Sequence, residues 1–349
     1  MQLYPLKFSP LLKYRIWGGS TICKLKQLPA DTKKIGESWE ISDRPENNSV
    51  VSNGKLKGKS FQDLREEFST KLLGTTLNPN KPFPLLIKIL DAREDLSLQV
   101  HPPKKILNKL PNNAQSKDEF WYILNGSSGE VMIGLNRHCS KKKFIDNIDK
   151  DNLKKCLNLI PTQPHMLFQI ESGTLHAIGK NNLILEIQEN SDTTYRVSDW
   201  GRLENGKPRT LHKEESLLAI NFSSSSKPLE VAFQNNYQVL NNHFCEVFSY
   251  YLTETRQMFT NKLVCEIISV TSGSVTVSVS NNSNDGFANI TDKSRRNIGS
   301  TNSTSACSND ESFTLNMGES CFIPASVNYK ITPTTTTASV LITIPKPNH

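Results

Sequence analysis

Short apolar runs, each alternating with polar residues, set the rhythm of this chain. GESWEIS (36–42), LLIKIL (85–90), LSLQVH (96–101), EFWYIL (119–124), EVMIGL (130–135), HMLFQI (165–170) and LILEIQ (183–188) are bounded by Gly, Pro and Asn. Runs of that length between turn residues predict strands of a β-sandwich or barrel. Two stretches follow a helical period instead. Behind a Ser60 cap, Phe61, Leu64, Phe68 and Leu72 predict a helix within 60–73. Phe144, Ile148, Leu153 and Leu157 predict a second within 140–159. Both read as helical insertions packed on a β core.

After HKEESLLAINF (212–222) comes SSSSKP, a Ser-rich linker with a proline at 223–228. It divides a first domain, 1–222, from a second, smaller β domain, 229–349. The second domain resumes strand patterns at 245–253, 262–270, 273–280 and 321–331. Residues 281–312, rich in Asn, Ser and Thr, interrupt them and read as a disordered polar loop. A faint repeat links the two domains. Aligning Ile170 of FQIESGTLHAI with Ile323 of CFIPASVNYKI puts Tyr329 at the place of His176. The second unit copies the first and lacks its histidine.

The bulk numbers restrict the function classes. The 349 residues carry a net charge of +7, spread over dispersed lysines rather than a basic block with aromatics. That argues against nucleic acid and suits a small anionic substrate. No run reaches the roughly 20 apolar residues of a membrane span. Seven scattered cysteines without CxxC spacing read as reduced thiols of a cytoplasmic protein.

The polar faces of four segments carry the chemistry. Strand side chains alternate between faces. In LSLQVHPP the polar row is Ser97, Gln99 and His101, set against Leu98 and Val100. Lys117, Glu119 and Trp121 share a face, as do Thr174 and His176, and Glu186, Gln188 and Asn190. Two histidines, a carboxylate and an amide oxygen can fill the shell of Zn²⁺ and leave a position open. An antiparallel sheet showing a polar face to water gives similar rows, and the pattern alone leaves both readings open.

SLQVHPP, KDEFWYIL, GTLHAIG and EIQENSDTTYRVSDWGR, with YPLKFSPLLKYRIWGG and IGESWEIS, resemble the successive signatures of class I mannose-6-phosphate isomerases of the short bacterial type. The resemblance runs from about residue 4 to 222 and more weakly into the C-terminal strands. It implies a cupin fold: a double-stranded β-helix (jelly roll) catalytic domain with helical insertions, then a smaller cupin-like β domain. It implies one Zn²⁺ per chain on Gln99, His101, Glu119 and His176. The family's catalytic arginine falls on Arg196, its lysines on Lys88 and Lys117, and an aspartate on Asp192. Two departures are ESG before TLHA, where the family often has Pro-Ala-Gly or Pro-Ser-Gly, and the insert 281–312.

The implied enzyme is an intramolecular oxidoreductase interconverting mannose 6-phosphate and fructose 6-phosphate through a metal-stabilised enediolate. Arg196 is then a fixed cation for charge stabilisation. Lys117, Asp192 and Glu186 compete for the proton transfer. Lys88, Ser97 and Glu186 line the substrate, and Lys88 or Arg196 meets the phosphate. The implied partner is a small sugar phosphate, with no nucleic acid or membrane, and the chain a monomer or homodimer. Two alternatives keep the fold: a non-catalytic sugar-phosphate-binding cupin, and a metal-dependent cupin oxygenase.

Overall fold

The computed structural model describes residues 1–29, 34–111, 113–126, 128–148, 150, 153–224, 227–229, 236–280 and 312–347. The polar stretch 281–312 thus lies outside the described residues, except Ser312, which opens a strand. The chain groups into two compact units. One comprises Leu12–Trp39 and Leu86–Val231, the other Met1–Leu11, Glu40–Leu85 and Ala232–His349. Residues 1–11 and 40–85, placed by the sequence reading in the first domain, group with the C-terminal strands.

The first unit is built on two antiparallel sheets. The five-stranded sheet runs in the order Leu157–Thr162, Gly129–Leu135, His176–Ile178, Leu98–Val100, Tyr195–Ser198. The six-stranded sheet runs Leu167–Ile170, Glu119–Asn125, Asn182–Glu189, Leu85–Ala92, Leu11–Gly19, Ile35–Ile41. The jelly-roll expectation is met. One side of the five-stranded sheet, with Leu98, Val100, Met132, Ala177 and Val197, packs against Phe144 and Leu153 and against Ala219 at the end of helix Lys213–Ala219. The expected helix within 140–159 is shorter than its pattern. It spans Lys141–Asn147, a 3-10 turn follows at Leu153–Cys156, and Leu157–Thr162 is an edge strand on Gly129–Leu135. Leu157 and Leu159 fit a period of two as well as Leu153 and Leu157 fit four, and pairing decided between them.

The other faces of the two sheets form a barrel interior that changes character along each strand. In Glu119–Asn125 the inward side chains are Glu119, Trp121 and Ile123. They stand opposite Gln188, Glu186 and Ile184 of Asn182–Glu189. At the apolar end Ile123, Ile184, Val131, Ile133 and Ile178 pack in one buried cluster with Trp121. Burial of that apolar area, at about 25 cal/mol per Å², is what holds the polar end in shape.

In the second unit a seven-stranded sheet runs Tyr237–Asn241, Cys245–Leu252, Ala338–Pro345, Glu266–Ser272, Ser320–Ile323, Leu6–Ser9, Val50–Val51. A four-stranded sheet runs Arg256–Met258, Tyr329–Pro333, Ser274–Val279, Ser312–Asn316. Leu6 lies opposite Phe322, which draws the N-terminus into this unit. Phe61, Phe83 and Phe322 pack with ring centroids 5.2 to 5.6 Å apart. The helix expected within 60–73 is two: Phe61–Phe68, with a Ser60/Asp63 capping box, and Thr70–Leu73. Ser69, at a φ of 47°, breaks it.

The two units repeat one strand order. Leu167–Ile170, Glu119–Asn125, Asn182–Glu189, Leu85–Ala92 corresponds to Ser320–Ile323, Glu266–Ser272, Ala338–Pro345, Cys245–Leu252. The second sheets correspond likewise, so the short repeat extends over the whole barrel. Register carries it to single residues. Ile170 faces Glu119 as Ile323 faces Glu266, and His176 faces Gln99 as Tyr329 faces Met258. Among the described residues no helix is long and apolar enough to cross a membrane. The six described cysteines are buried and carry no disulfide.

Candidate metal centre and active site

The polar end of the first barrel gathers residues from both sheets. Gln99 and His176 sit opposite each other on neighbouring strands of one sheet, and Glu119 comes from the other. His101 follows its strand by one residue, at HPP. Ligand atoms of His101, Glu119 and His176 all lie within 4.8 Å of one another, and the three side chains are buried. His101 Nε2 stands 3.0 Å from Glu119 Oε1, and His176 Nε2 stands 3.8 Å from Glu119 Oε2.

Two observations test whether these residues suit a cation. His101 Nε2 and Glu119 Oε1 are fully buried and make no hydrogen bond of acceptable geometry with each other despite their closeness; Oε1 has the Lys117 ammonium beside it, while Nε2 has no partner among the described residues. Leaving a buried nitrogen lone pair unsatisfied is costly, and a cation shared with the carboxylate removes the cost. The far nitrogens also fix the tautomers. Thr193 O lies 2.9 Å from His101 Nδ1 and Thr174 O lies 2.8 Å from His176 Nδ1. A carbonyl only accepts, so Nδ1 carries the hydrogen in both rings and each Nε2 presents its lone pair to the centre.

Charge acts in the same direction. Burial, aided by the Lys117 cation, pushes the His101 imidazole down to about 3. Burial also lowers His176. Both rings are therefore neutral. Burial opposes ionisation of Glu119, yet the Lys117 cation holds its carboxyl well below the usual range. Two neutral imidazoles and one carboxylate form a donor set that fits Zn²⁺. Gln99 stands beside them with its amide nitrogen 3.2 Å from His176 Nε2 and its oxygen 3.4 Å from Ser97 Oγ.

A cavity of about 340 Å³ opens over this floor, lined among others by Ser97, Gln99, Lys117, Glu119, Asp192 and Arg196. Lys117 Nζ is 2.7 Å from Glu119 Oε1. Trp121 Nε1 donates to Glu119 Oε2 at 3.0 Å and to Glu186 Oε1 at 3.2 Å, which ties the two carboxylates together. Lys88 Nζ donates to Gln188 Oε1 at 2.5 Å and lies 3.1 Å from Glu186 Oε2. Burial, then the charge of Glu119, raises the Glu186 carboxyl above its ordinary value. Burial works against the Lys88 cation, but Glu186 and Glu37 more than offset it and raise its pKa. Arg196 is half-buried. Its Nη1 donates to Thr210 O at 2.8 Å, and its Nε is buried without a partner. Asp192 is exposed at the cavity rim.

All ten residues singled out from the sequence fall in this one region: eight line the cavity, Lys88 among them on the wall beside Glu186, and His101 and His176 lie with Glu119 at its floor. The sequence reading missed Glu37, Arg15 and Arg209. Glu37 accepts from Arg15 Nε at 2.8 Å and from Trp39 Nε1 at 2.7 Å, and it lines the wall. Glutamates at 37 and 40 in the strand pattern IGESWEI were the available signal. Arg209, in a loop, offered none.

Comparison with known proteins agrees with this geometry. Residues 6–144 match the family model "Phosphomannose isomerase type I, catalytic domain". The mannose-6-phosphate isomerase ManA of Bacillus subtilis (strain 168) is 38% identical over 226 residues, 64% of this chain and 70% of that protein. The mannose-6-phosphate isomerase of Streptococcus mutans is 36% identical over 233 residues, 66% of this chain and 72% of that protein. The crystal structure of a B. subtilis mannose 6-phosphate isomerase superposes with a TM-score of 0.75 at 26% identity, covering 98% of this chain and 99% of that one. With that identity over most of its relatives' length and the cupin architecture in common, the chain belongs to the type I mannose-6-phosphate isomerase family.

Proposed function

We propose that this enzyme interconverts mannose 6-phosphate and fructose 6-phosphate with one zinc ion held by His101, Glu119, His176 and Gln99. The observation that carries the reading is the convergence of His101 Nε2, Glu119 and His176 Nε2 on the floor of the cavity, with the buried His101 Nε2 lacking a hydrogen bond. Gln99 joins as a neutral ligand once its amide is turned to present oxygen. When bound, zinc supplies Lewis-acid stabilisation of negative charge on the substrate's C1 and C2 oxygens.

The side chains supply the rest. Lys117, paired with Glu119, is a cation at the substrate's edge and donates a hydrogen bond to an oxygen there. Glu186 moves the proton between C1 and C2. Its pKa, raised by burial and Glu119, suits a group that must both take and return a proton. Trp121 and Lys88 hold its two oxygens and fix its direction. Asp192, at the rim, assists ring opening where water reaches. Arg196 keeps its charge throughout and orients the substrate.

His101→Ala and His176→Ala test the centre. Elemental analysis of each purified, folded variant should find zinc reduced to a small fraction of the wild-type content. Full zinc in both would remove the proposed ligands.

A further inference from the structure

Gln188 belongs to the polar row that the sequence sets beside Glu186, yet it is no part of the metal floor. It is fully buried and stands opposite Glu119 on the neighbouring strand. Its carboxamide is engaged on both sides within the protein. Nε2 donates to Glu189 O at 2.9 Å and to Ser191 O at 2.7 Å. A carbonyl only accepts, so both N–H groups are spent there and the amide has one orientation. Oε1 points the other way and accepts from Lys88 Nζ at 2.5 Å. A flipped amide would set an NH₂ against the ammonium and an oxygen against two carbonyls.

Lys88 is thereby held on three sides. An ammonium has three N–H donors. Around this one stand the Gln188 amide oxygen, Glu186 Oε2 at 3.1 Å and the face of the Trp39 ring, 5.2 Å from its centroid. Three further carboxylates, Glu37, Asp192 and Glu119, attract the same charge. Charge alone does not select one geometry for a flexible side chain among four acidic groups. The amide oxygen does, because it is fixed and directional. Being neutral, it also leaves the ammonium charge to Glu186, which a carboxylate at 188 would share. The turn that fixes the amide serves the metal floor as well. Ser191 N donates to Glu189 O at 2.7 Å and Thr193 N to Ser191 Oγ at 3.2 Å, and Thr193 O receives the His101 Nδ1 hydrogen. One turn, residues 189–193, thus seats both His101 and, through Gln188, the ammonium that faces Glu186.

We propose that Gln188 is a positioning residue for the proton transfer: it holds Lys88 against Glu186 and so keeps the Glu186 carboxylate aimed at C1 and C2 of the substrate. The proposal rests on the reading above that Glu186 carries that proton. In that step Glu186 takes the C2 proton, the C–H pair becomes the C1=C2 bond, and the C1 carbonyl pair moves to O1. Glu186 then returns the proton to C1, while O2 gives its proton to O1 and becomes the ketone oxygen. A misaimed carboxylate delays the return, and the carried proton has longer to exchange with water.

Turnover of mannose 6-phosphate deuterated at C2 by the zinc-loaded enzyme provides the test. The share of deuterium found at C1 of fructose 6-phosphate is a ratio within each turnover, so loss of folded enzyme leaves it unchanged. Gln188→Met keeps the volume and removes the amide. The share should fall about twofold or more and kcat about 10-fold or more, with KM within about threefold and zinc content unchanged. Gln188→Glu keeps the length, loses both donors and should lower the share as well. Added to Lys88→Met, Gln188→Met should change kcat by less than about threefold. A wild-type share in either Gln188 variant would overturn the proposal, as would a kcat loss in the Lys88→Met background equal to that in the wild type. Wild-type turnover in Glu186→Gln would sink the functional reading of Glu186 alone. In that case, or if the wild type itself retains no deuterium, the ¹⁵N–¹H signal of the Lys88 ammonium decides, assigned by its absence in Lys88→Met. Its loss in Gln188→Met supports the positioning, and an unchanged signal refutes it.

Discussion

Replacing Lys88 by Met should destabilise the first unit by an amount that depends on pH. Lys88 and Glu186 are both buried, with Nζ 3.1 Å from Oε2. At an effective dielectric of about 20, two unit charges at that distance attract by about 5 kcal/mol. Removing one member of a buried pair costs about 3–5 kcal/mol, because the other is stranded. Methionine keeps most of the lysine stem, so little of the loss comes from an empty volume. Glu186 can relieve the loss by taking up a proton.

Its folded pKa, already raised in the wild type, rises further without Lys88. A carboxyl with a raised folded pKa imposes no penalty below its unfolded value, about 4.3, and costs about 1.36 kcal/mol per pH unit up to the folded pKa. The variant should therefore lose about 3–5 kcal/mol at pH 8 and less at pH 5.5, where Glu186 can take up a proton. Urea denaturation followed by tryptophan fluorescence reads this unit selectively, since Trp17, Trp39, Trp121 and Trp200 all lie in it. Adding Glu186→Gln to Lys88→Met should restore most of the stability at pH 8. An equal loss at both pH values, with no recovery in the double variant, would show that Glu186 is not the stranded group.

Trp121→Phe removes the donor that ties Glu119 to Glu186; metal affinity, read by competition with a chelator, should fall about 10- to 100-fold. In the second unit, Arg65→Ala strands buried Asp43, which holds Arg65 Nε at 2.9 Å and Phe83 N at 2.8 Å. Thermal unfolding should register a loss of about 3–5 kcal/mol, and a loss below 1 kcal/mol would refute that account. Tyr329→Phe removes the 2.6 Å hydrogen bond to Glu266 and should cost about 1–3 kcal/mol in the same measurement.

The strand rhythm and the site floor were legible because barrel strands keep a period of two. Ser97, Gln99 and His101 had to share a face, and their neighbours Leu98 and Val100 are buried in the outer cluster. What pairing across the chain decides was not legible. Leu6–Ser9 joins the C-terminal sheet because Leu6 meets Phe322, a partner no local pattern names. Leu157–Thr162 became a strand on the same leucines that fit a helix. Arg209 follows the two-residue Asn205-Gly206 turn between Leu203–Glu204 and Lys207–Pro208, a clear local signal, but where its side chain points depends on its ion pair with Asp199. The repeat between barrels was faint because their ligand positions diverged. Register places Met258, Thr260, Glu266 and Tyr329 where Gln99, His101, Glu119 and His176 stand, and a Tyr329–Glu266 hydrogen bond occupies the place of the His176–Glu119 pair.

The central claim joins a metal on His101, Glu119 and His176 to sugar-phosphate isomerisation in the cavity above. Zinc content and fructose 6-phosphate formation from mannose 6-phosphate, measured on one purified sample, test it most directly. The account predicts about one zinc per chain, as for a single donor set with one open position, and turnover that stops on chelation and returns with zinc. Fully zinc-loaded, folded protein that forms no fructose 6-phosphate would contradict it.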